Sequence, residues 1–463
     1  MLINELERSE KMKKIVWLML FLIVFIGLFG GNVSAEHNTE FIYKISNGKV
    51  TIERCNTEVI GEIIIPQMIE NFPVEVIGDW AFDECSNLTS VVIPEGVKII
   101  GDGAFYNCGN LMKITIPSSL ESIGWEAFYA CDSLLKVNIS DIVSWYNIAF
   151  ESSNANPVRY AQKLYLNDQI VEKIIIPDTI EEIKAYAFNS CNSLTSVIIS
   201  NNVKKIGRSA FYSCENLKEI SMPEGVTDIG AWAFYGCDSL TELSFPASIK
   251  SIGENAFWLC KNVDTVYIAD IASWCNIDFE NAWAHPLCYP TQVYYNDNIA
   301  ITNLKIPNTV QLINKYCFHR CKLINSVTIS NNLIGIGADA FLNCDEIENV
   351  YYKGSVGDWN TLVETISKGN DSFLDANLLH IPSVKASLAD GGKACEVKPI
   401  NIEVGKIVIL ALYDGSKFVD MQHVVYEGKE IIFDIEKLYT NAKVMVWDSL
   451  TNLKPVCEVE IVK

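Results

Sequence analysis

The segment Ile77-Gly78-Asp79-Trp80-Ala81-Phe82 decides the fold, because the chain repeats it with a 23-residue period. Two further copies end at Phe105 and Phe128. Each repeat Phe is followed three positions later by a Cys, and the nine pairs are Phe82/Cys85, Phe105/Cys108, Phe128/Cys131, Phe188/Cys191, Phe211/Cys214, Phe234/Cys237, Phe257/Cys260, Phe318/Cys321 and Phe341/Cys344. Internal repeats of this length indicate units that stack into a solenoid.

The pattern inside one repeat predicts a strand followed by a turn. Val91 and Ile93 alternate with polar or exposed positions, which predicts a short strand that Pro94 ends. A single unit cannot bury its apolar face, whereas stacked units share a continuous core. The 23-residue period falls in the range of leucine-rich repeats. The predicted fold class is therefore a leucine-rich-repeat solenoid of about twelve coils.

The repeated Ala-Phe-x-x-Cys core carries a family resemblance. All nine copies conform, apart from Cys317 in place of the usual Ala. Over roughly residues 41–380 the chain resembles the BspA-type leucine-rich repeats of bacterial and trichomonad surface proteins. The resemblance implies a non-catalytic surface protein that acts in adhesion or recognition.

Two longer coils carry duplicated inserts, at about 140–175 and 269–305. The segment that begins at Asp141 in the first insert recurs at Asp270 in the second. Asn167-Asp168 and Asn296-Asp297 favour hairpin turns in these inserts. We expect both inserts to project as arms from the solenoid edge, and a degenerate third insert begins near Gly357.

The chain ends differ from the repeats. Basic residues, an apolar run at 15–29 and Val33-Ser34-Ala35 predict a signal peptide over 1–35, cleaved after Ala35, with an uncleaved anchor as the alternative. The mature chain is predicted to be secreted or at the cell surface, with no membrane span. Residues 36–65 are predicted to form a cap and first coil, with a hairpin at Asn47-Gly48, followed by repeats over 66–380. Strand-like segments in 381–463 predict a small β-sandwich-like accessory module, similar to C-terminal modules of secreted clostridial proteins.

Charge and motifs argue against several functions. The chain has 463 residues and a net charge of −21, which disfavours nucleic acid as a partner. It contains no metalloprotease, hydrolase or phosphate-binding motif, so we predict no enzyme, cofactor or metal. His319 lies near Cys317 and Cys321, but both Cys occupy repeat-core positions, which favours a structural role.

The cysteines divide into two groups. The repeat Cys residues are predicted to remain reduced in the core, where Cys behaves as a small hydrophobe. Cys275 and Cys288 lie in one insert without counterparts in the other, so they are the best disulfide candidates among the 15 Cys of the chain.

Two surfaces are candidates for ligand binding, and each has a structural alternative. The first, which we call the strand face, consists of outward residues of the strands: Ser90, Val92, Lys113, Thr115, Lys136, Asn138, Ser196, Ile198, Glu219, Ser221, Glu242, Ser244, Thr265 and Tyr267. The alternative is that these residues form a neutral exposed sheet with no ligand. The second, which we call the aromatic ridge, consists of rings close to the repeat Phe in the sequence: Trp125, Tyr129, Tyr212, Trp232, Tyr235 and Trp258. The alternative is that these rings only pack over the turns between coils.

Two functions follow from these features. The first is adhesion to, or recognition of, an extracellular protein or glycan. The second is a passive cell-envelope spacer that the C-terminal module attaches to the cell. Export, an extended face and the lack of a catalytic motif favour the first.

Overall fold

The computed structural model describes residues 36–37, 40–296, 298–381, 383–389, 393–402, 406–414, 417–437, 439, 441–449 and 452–462. The predicted signal peptide over 1–35 and Asp297 of the predicted hairpin turn lie outside the described residues. Contacts divide the chain into two compact units. One contains the residues up to Glu172 and Ile183–Leu194, and the other contains Lys173–Glu182 and Thr195–Lys463.

From Leu88 onward, the strands in the first part of the chain alternate between longer and shorter ones. In chain order, its elements are β1 (Glu36–His37), β2 (Phe41–Ser46), β3 (Lys49–Cys55), β4 (Gly61–Ile64), β5 (Met68–Ile69), β6 (Phe72–Ile77), β7 (Leu88–Val92), β8 (Ile99–Ile100), β9 (Lys113–Ile116), β10 (Ser122–Ile123), β11 (Lys136–Ile139), α1 (Ile142–Asn147), β12 (Ala149–Phe150), a 3-10 helix (Ser153–Ala155), α2 (Val158–Ala161), β13 (Leu164–Leu166) and β14 (Gln169–Ile170).

These strands form two parallel sheets, one on each side of the coils. One sheet has the order β4-β7-β9-β11-β13, and we call it the longer-strand sheet because its strands have 3 to 5 residues. The other has the order β3-β6-β8-β10-β12, in which β3 and β6 are followed by strands of 2 residues. Lys113 and Lys136 are register partners, and they occupy the same position in successive repeats. The expected hairpin at Asn47-Gly48 is confirmed, since β2 and β3 pair antiparallel across it.

The second part of the repeat array continues the same alternation. Its elements are β15 (Lys173–Ile175), β16 (Glu182–Ile183), β17 (Ser196–Ile198), β18 (Lys205–Ile206), β19 (Glu219–Ser221), β20 (Asp228–Ile229), β21 (Glu242–Phe245), β22 (Ser251–Ile252), β23 (Thr265–Ile268), α3 (Ile271–Cys275), β24 (Asp278–Phe279), β25 (Gln292–Tyr295), β26 (Ile299–Ala300), β27 (Asn303–Lys305), β28 (Leu312–Ile313), β29 (Ser326–Ile329), β30 (Gly335–Ile336), β31 (Asn349–Tyr352), α4 (Val356–Thr365), α5 (Asp371–Leu374) and β32 (Asn377–His380). The predicted solenoid is thereby confirmed, with about thirteen coils.

The repeat Phe and Cys residues form the core, as predicted. Phe211, Phe234 and Phe257 are fully buried, and successive rings stack with centroids 5.4 and 5.1 Å apart. The Sγ of Cys237 donates to the main-chain oxygen of Phe211 at 3.1 Å. Cys therefore adds a polar contact that a purely apolar residue of its size would lack.

The expectation that the inserts project as arms is wrong. Each insert begins with an Asp-capped helix, and its Trp is buried: Trp145 Nε1 donates to Ala187 O, and Trp274 Nε1 donates to Cys317 O, each at 3.0 Å. The insert strands β13 and β25 also join the longer-strand sheets in parallel. Burying a large indole that also satisfies a main-chain carbonyl favours an extra coil over a solvated arm. The hairpin ends of both inserts are present, as β13-β14 and β25-β26.

The C-terminal part contains two antiparallel sheets. Its strands are β33 (Ser383–Ala389), β34 (Ala394–Ile400), β35 (Ile407–Asp414), β36 (Lys417–Val425), β37 (Ile431–Asp434), β38 (Asn441–Ser449) and β39 (Asn452–Val462). The sheet orders are β33-β34-β37 and β36-β35-β38-β39. Val397 and Phe433 of one sheet and Leu410 and Val444 of the other belong to one buried cluster. Among the described residues, no helix is both long and apolar enough to cross a lipid bilayer.

Candidate functional site

The strand face is partly exposed in the first unit. Lys113 and Lys136 are register partners, as are Thr115 and Asn138, and all four side chains are half-buried. The Lys136 ammonium lies 2.8 Å from an Asp168 carboxylate oxygen and 4.7 Å from the centre of the Tyr165 ring. The hydrogen bond from Lys136 holds the pKa of Asp168 below its usual range. Asp168 and Tyr165 of the first insert therefore contact the Lys136 ammonium, which is then less available to a ligand.

The strand face in the second unit is more acidic. Glu219 and Glu242 are exposed, as are Ser221, Ser244 and Ile198, whereas Ser196 is half-buried. The expectation that every strand-face residue points to solvent is wrong for Thr265, since only 8% of it is exposed. It lies in register between Glu242 and Gln292 of the two flanking strands, whose long side chains crowd the shorter Thr.

A pocket of about 520 Å³ lies at the end of this face. Ser244 and Tyr267 line it together with Tyr294 of the second insert. The Tyr267 and Tyr294 rings stack with centroids 5.7 Å apart. The remaining strand-face candidates are distributed along the sheets, with Ser90 and Val92 half-buried on β7.

The aromatic ridge of the first unit is a short stack. Tyr129 stacks on Tyr106 at 5.1 Å, and Tyr106 contacts Trp80 at 5.3 Å between ring centroids. Trp125 and Tyr129 are 50% and 41% exposed, so both present apolar surface to solvent. Single exposed rings are ordinary in soluble proteins, and here their significance comes from their alignment.

The aromatic ridge of the second unit is longer. Tyr212 and Tyr235 stack in parallel at 4.7 Å, Tyr235 meets Trp258 edge-on at 5.9 Å, and Trp258 stacks on Trp283 at 5.4 Å. All four rings are half-buried, so each keeps part of its surface accessible. We call these four residues the ladder. The structure thus brings together three of the predicted ridge residues and adds one that the repeat pattern does not contain.

Trp283 is the residue that repeat analysis missed. It lies in the second insert, and the corresponding position of the first insert is Asn154. The local segment Ala282-Trp283-Ala284 resembles Ala231-Trp232-Ala233 of a plain repeat, and this likeness is the signal that could have identified it. Its stacking on Trp258 follows from the fold of the insert, which is not readable from spacing.

Trp232 occupies a strained position beside the ladder. Its φ is +60°, in the left-handed region, where the equivalent residue of an earlier repeat is Gly103 at +57°. Its indole Nε1 is buried and has no hydrogen-bond partner among the described residues. Its ring lies 6.5 Å from those of Tyr212 and Tyr235, and the Arg208 guanidinium lies 5.0 Å above it. The same positive φ recurs at Trp80, Glu126, Ser209 and Asn255, so the repeat imposes this conformation on whichever residue occupies the position.

The histidines of the repeat region have structural environments. His285 Nε2 contacts the Tyr316 main-chain oxygen at 2.7 Å, Nδ1 accepts from Leu287 N, and burial lowers its pKa to about 4. His319 packs edge-on against Trp283, and burial lowers its pKa. Burial raises the pKa of the neighbouring Cys321 thiol to about 12, which keeps it protonated at neutral pH. A protonated thiol is a poor nucleophile, so the His319–Cys321 pair lacks the chemistry of a catalytic pair.

The two disulfide candidates have different surroundings. Both Cys275 and Cys288 are free thiols in the structure. Cys275 is fully buried and hydrogen-bonds with Cys317, whereas Cys288 is half-buried beside Tyr289. No group of three or more potential metal ligands is found in the described part of the chain.

Comparison with known proteins identifies the repeat. The model of the BspA type leucine rich repeat region matches six copies, over residues 55–169, 161–282 and 290–363. No curated protein matches the chain.

Solved structures provide similar chains. A leucine-rich cell surface protein from Faecalibacterium prausnitzii is 22% identical, with a TM-score of 0.40, over 72% of this chain and 98% of that one. A leucine-rich repeat protein from Bacteroides ovatus is 19% identical, with a TM-score of 0.45, over 75% of this chain and 90% of that one. Because the family model covers more than half of its residues, this chain belongs to the BspA-type leucine-rich repeat family.

Proposed function

We propose that this protein is a secreted or cell-surface recognition protein that binds an extracellular protein or glycan without chemical conversion. The observation that carries the proposal is the ladder, in which Tyr212, Tyr235, Trp258 and Trp283 form a chain of contacting rings. The predicted signal peptide supports export, and the resemblance of the repeats to those of bacterial surface proteins supports a place outside the cell.

The ladder has the physical properties of a binding surface. Aromatic rings supply a large contact area, and rings that are already stacked lose little conformational freedom when a partner binds. Tyr and Trp are also the residues enriched among the strongest contributors to protein interfaces. Sugar rings and apolar side chains both pack on such surfaces.

Trp232 adds an aromatic ring beside the ladder. Its left-handed backbone is a property of the repeat, because Trp80, Gly103 and Asn255 adopt the same positive φ at the equivalent position. Arg208 above the ring adds a cation at the same surface.

Several features support a non-catalytic role. Burial holds Cys321 protonated and His285 neutral at pH 7, so neither is poised for nucleophilic or acid–base catalysis. The net charge of −21 disfavours nucleic acid and anionic membranes as partners.

The test is a binding assay of the mature full-length chain against immobilised matrix proteins and a glycan array. For a ligand identified in this way, Tyr235→Ala is expected to weaken affinity roughly thirtyfold, because an aromatic anchor contributes about 2 kcal/mol. Tyr351→Ala, which removes a half-buried ring from β31, is the matched control and is expected to leave affinity unchanged. A loss of affinity in Tyr351→Ala with none in Tyr235→Ala would place the binding site on the sheet and not on the ladder.

The spacer alternative predicts a different outcome. If no ligand binds the full chain while the chain associates with cell walls through its C-terminal module, the recognition proposal fails. Turnover of a glycan or peptide in the same assay would contradict both functions.

A further inference from the structure

A surface pocket of about 440 Å³ lies beside Trp283, at the end of the ladder. Trp283, Tyr289, Arg320, Lys322, Asn343 and Asp345 line it. This volume falls within the range of about 300–1,000 Å³ typical of small-molecule sites. The pocket is therefore large enough for one or two sugar residues.

Arg320 is held in a defined position in this pocket. Its guanidinium carbon lies 4.3 Å from the centre of the Trp283 ring, and Trp258 stacks on the same ring. With two neighbours over its faces, Trp283 orients Arg320 and is not an empty platform for a ligand. A guanidinium held in a plane presents a fork of N–H donors that matches a carboxylate.

The charges of the pocket favour an anionic group. Neither Arg320 nor Lys322 forms an ion pair with any described residue. Asp345 is the one lining carboxylate, and its Oδ1 accepts a hydrogen bond from Ser372 Oγ at 3.1 Å. Two cations against one anion make the pocket locally positive on a chain whose net charge is −21.

The composition of the pocket is not a consequence of the repeat. At the equivalent positions of the first insert, Trp283 and Cys288 are replaced by Asn154 and Arg159. Arg320 follows its repeat Phe by two positions, and Ser190 occupies that place in the coil after the first insert. The two inserts therefore share a fold while these side chains differ.

Tyr289, in contrast, is present in both inserts, where the equivalent residue is Tyr160, so we infer that the fold of the insert requires it. Its hydroxyl accepts from Leu259 N at 3.0 Å, and Tyr160 of the first insert accepts from the main chain at Ala130 in the same way. Shared tyrosines with divergent neighbours indicate a common scaffold that carries a separate site.

We propose that this pocket binds the carboxylate of an acidic sugar, such as a uronic or sialic acid, through Arg320 and Lys322. The inference rests on the proposed recognition function and names the ligand chemistry at one end of the ladder. Asp345 and Asn343, which also line the pocket, offer acceptors for sugar hydroxyls. An acidic peptide supplies fewer hydroxyls, and its additional carboxylates meet Asp345 and the negative charge of the chain.

The test is calorimetric titration of the mature full-length chain with glucuronate and with N-acetylneuraminate. Glucose and the methyl ester of glucuronate serve as neutral probes. We expect at least one acid to bind tenfold or more tightly than the neutral probes, and the two acids distinguish the source of the carboxylate. Equal affinity for the acid and the ester, or preference for a glutamate-rich peptide, overturns the proposal.

Substitutions locate the binding site. Arg320→Gln and Lys322→Gln are each expected to reduce acid affinity at least tenfold. The matched control is Arg159→Gln, which removes a guanidinium from the equivalent place in the first insert and does not line this pocket. Loss in Arg159→Gln as well, or no loss in the other two, overturns the assignment. Circular dichroism and the urea midpoint verify that all three variants fold.

The two proposals fail separately. A macromolecular ligand that depends on Tyr235, together with no acid binding, overturns the pocket inference alone. Acid binding that depends on Arg320, with no macromolecular ligand for the ladder, overturns the wider function of the ladder and leaves a small-molecule site.

Discussion

The Sγ atom of Cys260 donates a hydrogen bond to the main-chain oxygen of Phe234, one coil earlier, at 3.1 Å. Cys108, Cys131, Cys237 and Cys344 make the same contact with the Phe of the preceding coil. The repeated Cys thus links successive coils through a buried main-chain carbonyl, in addition to filling volume.

Replacing this thiol tests the link. The Phe234 carbonyl also accepts from Cys237 N at 3.2 Å, so Cys260→Ala removes one of its two hydrogen bonds and is expected to lower the free energy of unfolding by about 0.5–1.5 kcal/mol. Cys260→Ser removes a similar volume but keeps a donor, so it is expected to lose less. Urea denaturation followed by circular dichroism measures both. A serine variant as unstable as the alanine variant would show that the hydrogen bond contributes little.

His285 introduces a pH dependence. Burial lowers its pKa from 6.5 to about 4. In that interval the unfolded chain binds a proton that the folded chain does not, so stability is complete above pH 6.5 and decreases as the pH falls toward 4. The effect amounts to at most about 3 kcal/mol.

The first insert suggests the matching variant. Asn156 occupies the equivalent position, and its Nδ2 donates to the Tyr186 main-chain oxygen at 2.7 Å, as His285 contacts that of Tyr316. His285→Asn is therefore expected to fold and to show a smaller loss of stability between pH 7 and pH 4.5 than the unmodified chain. Urea midpoints at the two pH values measure the difference, and parallel losses would contradict the assignment.

Trp232→Gly is expected to separate stability from binding. The change relieves a left-handed φ of +60° and removes a buried indole N–H that has no partner among the described residues. These gains offset the lost ring contacts, so we expect stability to change by less than about 1 kcal/mol. Affinity for a ladder ligand is expected to fall about tenfold. Trp258→Gly relieves no such strain and is expected to be more destabilising, with thermal unfolding as the measurement.

Gly253 tests the close approach of successive coils. A Cβ at this residue would lie 2.7 Å from the Cα of Ala231, which is a steric clash. Gly253→Ala is therefore expected to destabilise the fold by about 1–3 kcal/mol. Gly109→Ala is the control, since nothing lies within 4 Å of its added Cβ, and it is expected to change stability by less than about 0.5 kcal/mol. Similar urea midpoints for the two variants would contradict this packing argument.

The core was predictable because the repeat constrains it. A Phe and a Cys that recur at the same place in every repeat must occupy equivalent places in stacked coils, and the structure buries them there. The same reasoning from local pattern predicted the hairpin at Asn47-Gly48, where both residues adopt positive φ.

The inserts were less predictable, because their side chains have no periodic reference. The buried Trp274 and the strand β25 show that the second insert forms a coil, where sequence reasoning expected an arm. Similarly, Phe373 stacks on Phe341 at 5.0 Å and extends the Phe column beyond the last recognisable repeat.

By itself, the sequence determined the solenoid, its period and its core, since local alternation and a fixed repeat length admit one way to bury the apolar face. Only the tertiary structure decided which rings form the ladder and which cations line the pocket. Trp283 and Arg320 are far apart in the chain, and they meet because the insert closes a coil against the next repeat. Such contacts depend on how the non-repeating insert folds back on the solenoid, and the residue spacing of the insert does not predict them.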